Sequence, residues 1–201
     1  MQDGNEGPRK RGRPRKFVEN DVLEKVARLF LYDSFAGAAL DDLAQAAGLN
    51  RPSLAGAFGD KAQLFVRAMD RVGARERDFL LATLSRRGPI EERLTEFLMA
   101  AVADRCASAG GFSAIAAAAA PANPEIAEAA LAQRAGVQAA LEEAFGLCLS
   151  RRELPEEPTP QARAQMTMAV LDTLALRARY GEKAQSLETF VRDSIAIICF
   201  V

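Results

Sequence analysis

The sequence LDDLAQAAGLNRPSL, which runs from Leu40 to Leu54, contains the most specific pattern of the chain. Apolar residues recur at helical spacing on both sides of Gly48, which predicts one short helix over Leu40–Ala47 and another over about Arg51–Ala57. Glycine readily adopts the left-handed conformation that ends one helix and begins a tight turn. The stretch therefore predicts two short helices joined by a sharp turn at Gly48.

The packing of two such helices requires particular residue types at fixed positions. Ala44 is the small residue that lets the helices cross closely, and it lies four residues before Gly48. The other apolar positions that face neighbouring helices are Leu43, Ala47, Leu49, Leu54 and Ala57. These positions predict a helix-turn-helix whose second helix, the recognition helix, presents its N-terminal turn outwards, the end that enters the DNA major groove in this motif.

Along the whole chain, periodicity and helix-boundary residues predict nine helices, including the two of this motif. Asp60 and Gln63 have the spacing of a capping box, which predicts the start of the fourth helix. The nine predicted helices span approximately residues 18–34, 40–47, 51–57, 60–84, 89–110, 111–121, 123–152, 159–181 and 186–201.

The composition also favours helices. Hydrophobic residues make up 49% of the 201 residues, aromatic residues only 6%, and alanine dominates the apolar content. Alanine has the highest helix propensity, whereas strands are rich in β-branched and aromatic residues. We therefore expect an all-α protein, which the arm and the motif divide into a flexible basic arm (1–16), a three-helix helix-turn-helix DNA-binding domain (17–62) and a larger helical domain (63–201).

The charge is distributed unevenly along the chain. The first sixteen residues contain six Lys or Arg and two acidic residues, a local balance of +4, which leaves −5 for the rest of a chain with a net charge of −1. A basic arm on an acidic body indicates a polyanionic partner at one end and no general affinity for anionic membranes. A disordered solubilising tail is the alternative interpretation of the arm.

Several classes of catalytic and metal site are excluded. The chain has no histidine, which removes histidine general bases, Ser-His-Asp triads and most zinc sites. Cys106, Cys148 and Cys199 show no metal-ligand spacing, so we expect buried thiols in a reducing cytoplasm. An enzyme that used Cys106 or Cys148 as a redox nucleophile would need a lowered thiol pKa. No phosphate loop, nucleophile elbow or membrane-length apolar run occurs, so we expect a cytoplasmic protein that is not an enzyme, with no metal, cofactor or membrane partner.

A family resemblance covers about residues 11–70. It rests on the stretch from Leu40 to Leu54, on Phe58-Gly59-Asp60-Lys61, on Leu64-Phe65 and on the leading Arg11-Gly12-Arg13-Pro14-Arg15. Together these segments resemble the DNA-binding region of TetR-family regulators. The resemblance implies a homodimer with nine or ten helices per subunit, which releases DNA when a small molecule binds. It makes residues 63–201 the ligand-binding and dimerisation domain.

The candidates for DNA contact are Arg13, Arg15, Asn50, Arg51, Ser53 and Lys61. Asn50 caps the recognition helix, and Arg51 is the best candidate for a guanine edge or a phosphate, with Ser53 beside it. The resemblance makes Lys61 a clamp on the DNA backbone, and Arg13 and Arg15 are expected in the minor groove. Solvated surface charges are the alternative interpretation of the basic residues.

The chain departs from the family pattern at four positions. Ala38 and Ala39 replace a hydroxyl residue that usually caps the second helix and binds a phosphate, Ala55 replaces a tyrosine of the recognition helix, and Ser34 replaces the glycine that ends the first-helix turn. Each lost cap or contact costs about 1 kcal/mol.

The ninth helix is apolar on more sides than the stripe of about 100° that faces a single core. We therefore expect it to pack with the eighth helix against a partner subunit, although burial within its own chain is the alternative. The expected dimer contacts are Met168, Leu171, Ala175, Val191, Ile195 and Ile198.

A ligand cavity is expected between the fourth and eighth helices, on the strength of the resemblance. Its expected lining consists of Phe97, Arg105, Phe112, Ile115, Phe145, Met166, Leu174 and Arg177. The two arginines would be polar anchors, and plain core packing is the alternative for the apolar residues.

Two hypotheses about function follow. The first is a ligand-responsive repressor that binds a palindromic DNA operator as a homodimer and is released by a small apolar effector. The second is a helical homodimer of the same fold with weakened or lost sequence-specific DNA binding, which acts as a ligand- or protein-binding module.

Overall fold

The computed structural model describes residues 18–200 of the chain, with side chains for residues 18–199. This part of the chain contains nine α-helices and no β-strand. The helices are α1 (Glu19–Gly37), α2 (Leu40–Ala47), α3 (Arg51–Phe58), α4 (Lys61–Leu84), α5 (Ile90–Ala107), α6 (Gly111–Ala119), α7 (Pro124–Ser150), α8 (Pro160–Arg179) and α9 (Ala184–Phe200). The prediction of an all-α fold with nine helices is confirmed.

The first buried core joins α1, α2 and α3 to the first half of α4 and to α6. Phe65 of α4 lies at its centre, with its ring centroid 5.0 Å from that of Phe30 on α1 and 5.3 Å from that of Phe112 on α6. Such ring pairs add to the free energy gained from burial alone. This core therefore draws on residues from both sides of position 62, and α6 packs directly against the helix-turn-helix.

The second buried core lies among the remaining helices. The second half of α4 packs against α7, α7 packs against α8, and α5 packs against α9. Phe97, Phe145, Leu174 and Val191 are almost fully buried in it. The largest helices thus bury most of their apolar residues against one another within a single chain.

Side-chain caps fix several helix starts. The Asp60 carboxylate accepts hydrogen bonds from the amides of Ala62 and Gln63 at 2.9 Å, and the Gln63 side chain accepts one from the Asp60 amide at 3.1 Å. The predicted capping box at the start of α4 is therefore confirmed. Asn123 directly precedes α7 but does not cap it with its side chain, which instead donates back to the Ala119 carbonyl at 2.7 Å, at the end of α6.

The end of α1 contains an unusual backbone conformation. Ser34 has φ 65° and ψ 174°, and the helical hydrogen bonding resumes after it as far as Gly37. This region of conformational space is almost restricted to glycine, because a Cβ atom there clashes with the backbone. Ser34 thus carries backbone strain at the junction of α1 and α2, and α1 extends slightly beyond its predicted end.

Two buried arginines satisfy carbonyl groups at helix ends. Arg93 on α5 donates to the Leu84 carbonyl at 2.5 Å and to the Gly88 carbonyl at 2.9 Å. Arg163 on α8 donates to the Cys199 carbonyl at 3.2 Å. The last carbonyls of a helix have no partner within the helix, so buried ones need a donor from elsewhere.

Candidate functional site

The helix-turn-helix has the geometry that its sequence predicts. Gly48 adopts the left-handed conformation, with φ 70° and ψ 28°, and the Leu49 amide donates to the Ala44 carbonyl at 2.9 Å. Ala44 is buried where α2 crosses its neighbours, and Leu54 is buried under α3. The predicted packing of the motif is therefore confirmed.

The outer face of α3 is the side that solvent reaches, and it consists of Arg51, Pro52, Ser53, Ala55 and Gly56. The Asn50 side chain accepts a hydrogen bond from the Ser53 amide at 2.8 Å, which confirms the predicted cap. Because Ala55 and Gly56 have almost no side chain, the α3 backbone can approach a flat or convex surface closely. Arg51 supplies the charge of this face.

Arg51 forms an exposed ion pair that the sequence analysis did not anticipate. Its Nε atom lies 3.2 Å from the Asp41 carboxylate at the start of α2, and the two side chains are 57% and 73% exposed. Exposed pairs of this kind contribute about 0–1 kcal/mol. Arg51 can therefore exchange Asp41 for another acceptor at little cost. The sequence did contain a signal for this pair, namely the two acidic residues in the first turn of α2. Helix N-termini favour acidic side chains, and these carry the charge opposite to that of Arg51.

Arg67 on α4 sets the position of α3. Its Nη1 atom donates to the Ala57 carbonyl at 2.9 Å, and its guanidinium lies 4.9 Å from the Phe58 ring centroid. The same guanidinium forms an ion pair with Glu19 at the start of α1. One side chain of α4 therefore connects the end of α3 to the start of α1. Sequence reasoning missed this role because the partners lie far apart along the chain.

Lys61, the first residue of α4, is half-buried rather than free on the surface. Its ammonium lies 5.0 Å from the centre of the Phe35 ring, and burial lowers the pKa of the amine. A cation over an aromatic face is attracted by the negative face of the ring's quadrupole. Arg13 and Arg15, the other basic residues expected to contact DNA, lie outside the described residues.

The central cavity is a space of about 410 Å³ that is partly open to solvent and is lined by residues of α4, α5, α6, α7 and α8. Its apolar wall consists of Met69, Leu131, Val137, Met168, Leu171 and five alanines between residues 116 and 130. Its polar lining consists of Glu76, Arg105, Ser113, Gln133, Arg134 and Asp172. A mostly apolar cavity with a few polar groups is typical of small-molecule sites.

The charged groups of the central cavity form two ion pairs. Arg105 Nη2 lies 3.0 Å from the Glu76 carboxylate, and Arg134 Nη1 lies 2.5 Å from the Asp172 carboxylate. The Arg105 side chain is only 7% exposed, whereas the Arg134 pair is about half exposed. Arg105 is therefore a buried part of the cavity wall, its partner Glu76 is partly exposed, and the second pair lies at the solvent side of the cavity.

The Glu76–Arg105 pair also lines a second space of about 330 Å³, the side cavity, together with Phe97 and Asp104. Burial raises the pKa of the Asp104 carboxyl, and the charge of Arg105 partly offsets that effect. The two cavities therefore share one charged wall.

A close approach of α4 and α7 shapes the central cavity. The Gln133 side chain donates to the Met69 carbonyl at 2.9 Å. A Cβ atom at Gly73 would lie 1.6 Å from the Gln133 amide nitrogen, so glycine leaves the space that this amide occupies. The hydrogen bond fixes one wall of the cavity to the middle of α4.

The arrangement of helices is similar to that of solved transcriptional regulators. A cysteine-substituted form of the TetR-family regulator CifR, in complex with 26-bp double-strand operator DNA, superposes with a TM-score of 0.77 and 23% sequence identity, over 92% of this chain and 98% of that one. The chain has the TetR-family fold. A putative TetR transcriptional regulator from Rhodococcus sp. RHA1 is 26% identical, with a TM-score of 0.60 over 89% of this chain and 97% of that one.

The sequence similarity to a curated relative is more local. The chain is 34% identical over 100 residues to the HTH-type transcriptional repressor BdcR of Escherichia coli (strain K12), and the match covers 50% of each protein. The chain thus matches about half the length of this relative. No family model matches the chain. All three relatives are named as regulators of transcription.

Within the TetR-family fold, the residues expected to line a cavity do not lie together. Arg105 lines the central cavity, and both Arg105 and Phe97 line the side cavity. The other expected residues lie elsewhere: Phe112 and Ile115 in the first core, Phe145 and Leu174 in the second core, Met166 on the surface, and Arg177 in an ion pair with Glu182. Large apolar residues fill the cores, whereas the central cavity exists where alanines leave space.

The residues expected at the dimer interface face inwards in this chain. Met168, Leu171, Ala175, Val191, Ile195 and Ile198 are all buried by other helices of the same chain. The large apolar residues exposed on α8 and α9 are instead Met166, Leu176 and Ile197, and Tyr180 is exposed directly after α8. Both helices are apolar on two sides. The side that was predicted to contact a partner subunit packs instead against other helices of the same chain, chiefly α5 and α7.

Two of the three cysteines, Cys148 and Cys199, do not have the properties of redox nucleophiles. Burial raises the pKa of Cys148 and raises that of Cys199 to about 11, so both remain thiols at neutral pH. Cys106 is exposed, contrary to the expectation that all three are buried. Within residues 18–200, no group of His, Cys, Asp and Glu side chains is arranged to hold a metal ion. None of the helices in that range has both the length and the apolar character needed to cross a lipid bilayer.

Proposed function

We propose that this protein is a transcriptional repressor that binds duplex DNA as a homodimer and releases it when a small molecule enters the central cavity. The observation that carries the proposal is the outer face of α3, with Arg51 and Ser53 exposed at the first turn of a recognition helix. That face lies on the fold of CifR, a regulator whose solved complex contains operator DNA. A cytoplasmic location is part of the proposal.

The proposed DNA contacts follow from the position of α3. The N-terminal turn of a recognition helix reaches base edges, so Arg51 is assigned to a guanine and the Ser53 hydroxyl to a base or phosphate. Lys61 is assigned to the DNA backbone, and Arg13 and Arg15 to the minor groove. Ala55 and Gly56 let α3 lie deep in the groove because no large side chain holds it away.

The proposed dimer uses the exposed apolar residues of α8 and α9. Leu176 on α8 is 52% exposed and Ile197 on α9 is 49% exposed. Burying such residues against a second copy is favourable, and two helices from each subunit then form a four-helix interface. A two-fold dimer presents two recognition helices to the two halves of a palindromic site.

The proposed response to a ligand passes through α4. Met69 and Glu76 on this helix line the central cavity, and Arg67, two residues before Met69, holds the end of α3. A ligand that displaces α4 therefore displaces α3 relative to its partner in the dimer. The coupling is reciprocal, because DNA that favours one position of α4 weakens a ligand that favours the other.

The proposal is tested by fluorescence anisotropy of the full chain with duplexes that tile its own upstream intergenic region, measured over a series of salt concentrations. We expect tight binding to one duplex in the presence of competitor DNA, with two protomers per duplex. Arg51→Ala is expected to weaken this binding about tenfold or more, since a specific arginine–base contact contributes about 1–3 kcal/mol. Arg87→Ala, at an exposed position beyond the other end of α4, is the control for the loss of one positive charge.

Equal affinity of the two variants at physiological salt would contradict the role of Arg51. Uniform weak binding to every duplex, lost as salt is raised, would instead support the alternative of a helical homodimer without sequence-specific DNA recognition. The alternative is favoured by Ala38 and Ala39, since α2 starts with no side-chain cap and no hydroxyl group for a phosphate.

A further inference from the structure

We propose that the central cavity binds a neutral, mostly apolar molecule that carries a carbonyl or ether oxygen, and that Arg105 donates a hydrogen bond to this oxygen. The inference names the chemical class of the effector, and it rests on the proposed function for the consequence that binding has for DNA. The binding itself is a separate, directly measurable property of the cavity.

The first argument is the incomplete hydrogen bonding of Arg105. Its Nη2 atom donates to Glu76 at 3.0 Å, but its Nε atom is buried and has no acceptor among the described residues. Arginine carries five N–H donors in a planar fork, and a buried donor without an acceptor is unfavourable. Arg105 is one of the residues that line the central cavity, so we infer that an oxygen atom of a ligand accepts a hydrogen bond from this incompletely bonded guanidinium.

The second argument is the balance of charge. Arg105 is paired with Glu76, and Arg134 is paired with Asp172, so the four charged groups that line the central cavity sum to zero. The side cavity is lined by Arg75 and Asp104 besides the Glu76–Arg105 pair, so its charged groups also sum to zero. A carboxylate ligand would lose its hydration without meeting an excess of positive charge, which is costly. A neutral oxygen needs only the hydrogen bond.

The third argument is the size and apolar character of the wall. The volume of about 410 Å³ is at the lower end of the range for small-molecule sites, which suits a compound of one or two fused rings. The alanines of α6 and α7 present methyl groups, and Met168 and Leu171 close the opposite side. Such a wall gains free energy from apolar ligand surface but offers few other polar partners.

Three naphthalenes of nearly equal size test the inference. They are 2-acetylnaphthalene, which has a neutral carbonyl; 2-isopropylnaphthalene, which has none; and 2-naphthoate, which is anionic. Binding of each to the full chain is measured by calorimetry in the absence of DNA. We expect the ketone to bind about tenfold more tightly than either of the other two.

Two variants connect this preference to the named residues. In Arg105→Met the ketone and the hydrocarbon are expected to bind equally well, since no donor distinguishes them. In Glu76→Gln, which keeps an acceptor for Arg105 but removes the negative charge, the cavity gains a net charge of +1 and 2-naphthoate is expected to bind more tightly than to the unmodified chain. Circular dichroism confirms that each variant is folded, and Glu76→Gln tests the charge argument even if Arg105→Met is unstable.

Equal binding of the ketone and the hydrocarbon to the unmodified chain would overturn the inference. Preferential binding of 2-naphthoate, or binding of none of the three, would overturn it as well. The proposed function fails differently: ketone-selective binding that leaves the affinity for the operator duplex unchanged would support the ligand class and refute the ligand-dependent release of DNA.

Discussion

Replacing Ser34 by glycine is expected to stabilise the protein, although most substitutions destabilise. Ser34 has φ 65° and ψ 174°, a conformation that costs a residue other than glycine about 1–3 kcal/mol. Glycine removes this cost because it has no Cβ atom. Glycine is also the residue that the TetR-family pattern has at this position, so the substitution restores the usual chemistry of the turn.

Two smaller effects act against this gain. Glycine adds freedom to the unfolded chain, which costs about 0.5–1 kcal/mol. The Ser34 hydroxyl accepts a hydrogen bond from the Gly37 amide, but at 3.5 Å this contact is long and weak. The net expectation is a gain of about 1 kcal/mol in the free energy of unfolding, or a rise of about 2–4 °C in Tm for a chain of this size.

The measurement is thermal and urea unfolding followed by circular dichroism, at one fixed protein concentration because the proposed dimerisation would add to the apparent stability. Ser34→Ala is the matched control, since it keeps the Cβ atom and loses only the hydroxyl. We expect Ser34→Ala to be no more stable than the unmodified chain. If Ser34→Gly and Ser34→Ala had the same stability, the strain assigned to Ser34 would be refuted.

Two further predictions concern buried and exposed ion pairs. Arg93→Met is expected to lower the free energy of unfolding, measured by urea titration, by about 3 kcal/mol, because it leaves the buried Leu84 carbonyl and a glutamate partner without their donor. The exposed control Arg87→Met should change this free energy by less than about 0.5 kcal/mol. The hydrogen bond from Arg177 at 2.6 Å lowers the pKa of Glu182 to about 2 from an ordinary value of 4.5. The stabilisation that this pair gives is therefore fully present above pH 4.5 and is lost as the pH falls through about 2. An NMR titration of the Glu182 carboxyl should show this low midpoint, and Arg177→Met should return it towards 4.5; an unchanged midpoint in the variant would assign the shift to another cause.

The helix boundaries were predictable because they are encoded locally. Asp60 with Gln63 and Asn50 with Ser53 form caps within three residues of sequence, and the structure shows both sets of hydrogen bonds. The glycine turn at Gly48 is local in the same way. Such signals do not depend on how the helices pack, so they can be interpreted from one sequence.

The cavity and the dimer surface were not predictable in the same way. Arg105 meets Glu76 and Arg134 meets Asp172 across 29 and 38 residues of sequence, and no local pattern pairs them. For α8 and α9, apolar residues occur on two sides of each helix, and only the positions of α5 and α7 determine which side is buried. The exposed Leu176 and the buried Leu174 are therefore equivalent in the sequence but opposite in the structure.

The alanines that line the central cavity have a consequence for how related proteins diverge. Their methyl groups leave space in which Ala→Val or Ala→Ser adds only one or two atoms, without altering the course of the helix. Each such change remodels the interior by the volume of a single group, while the outer face of α3 remains untouched. Under the proposed function, a short series of such point mutations would change the effector that the cavity accepts and leave the proposed DNA contacts of α3 in place.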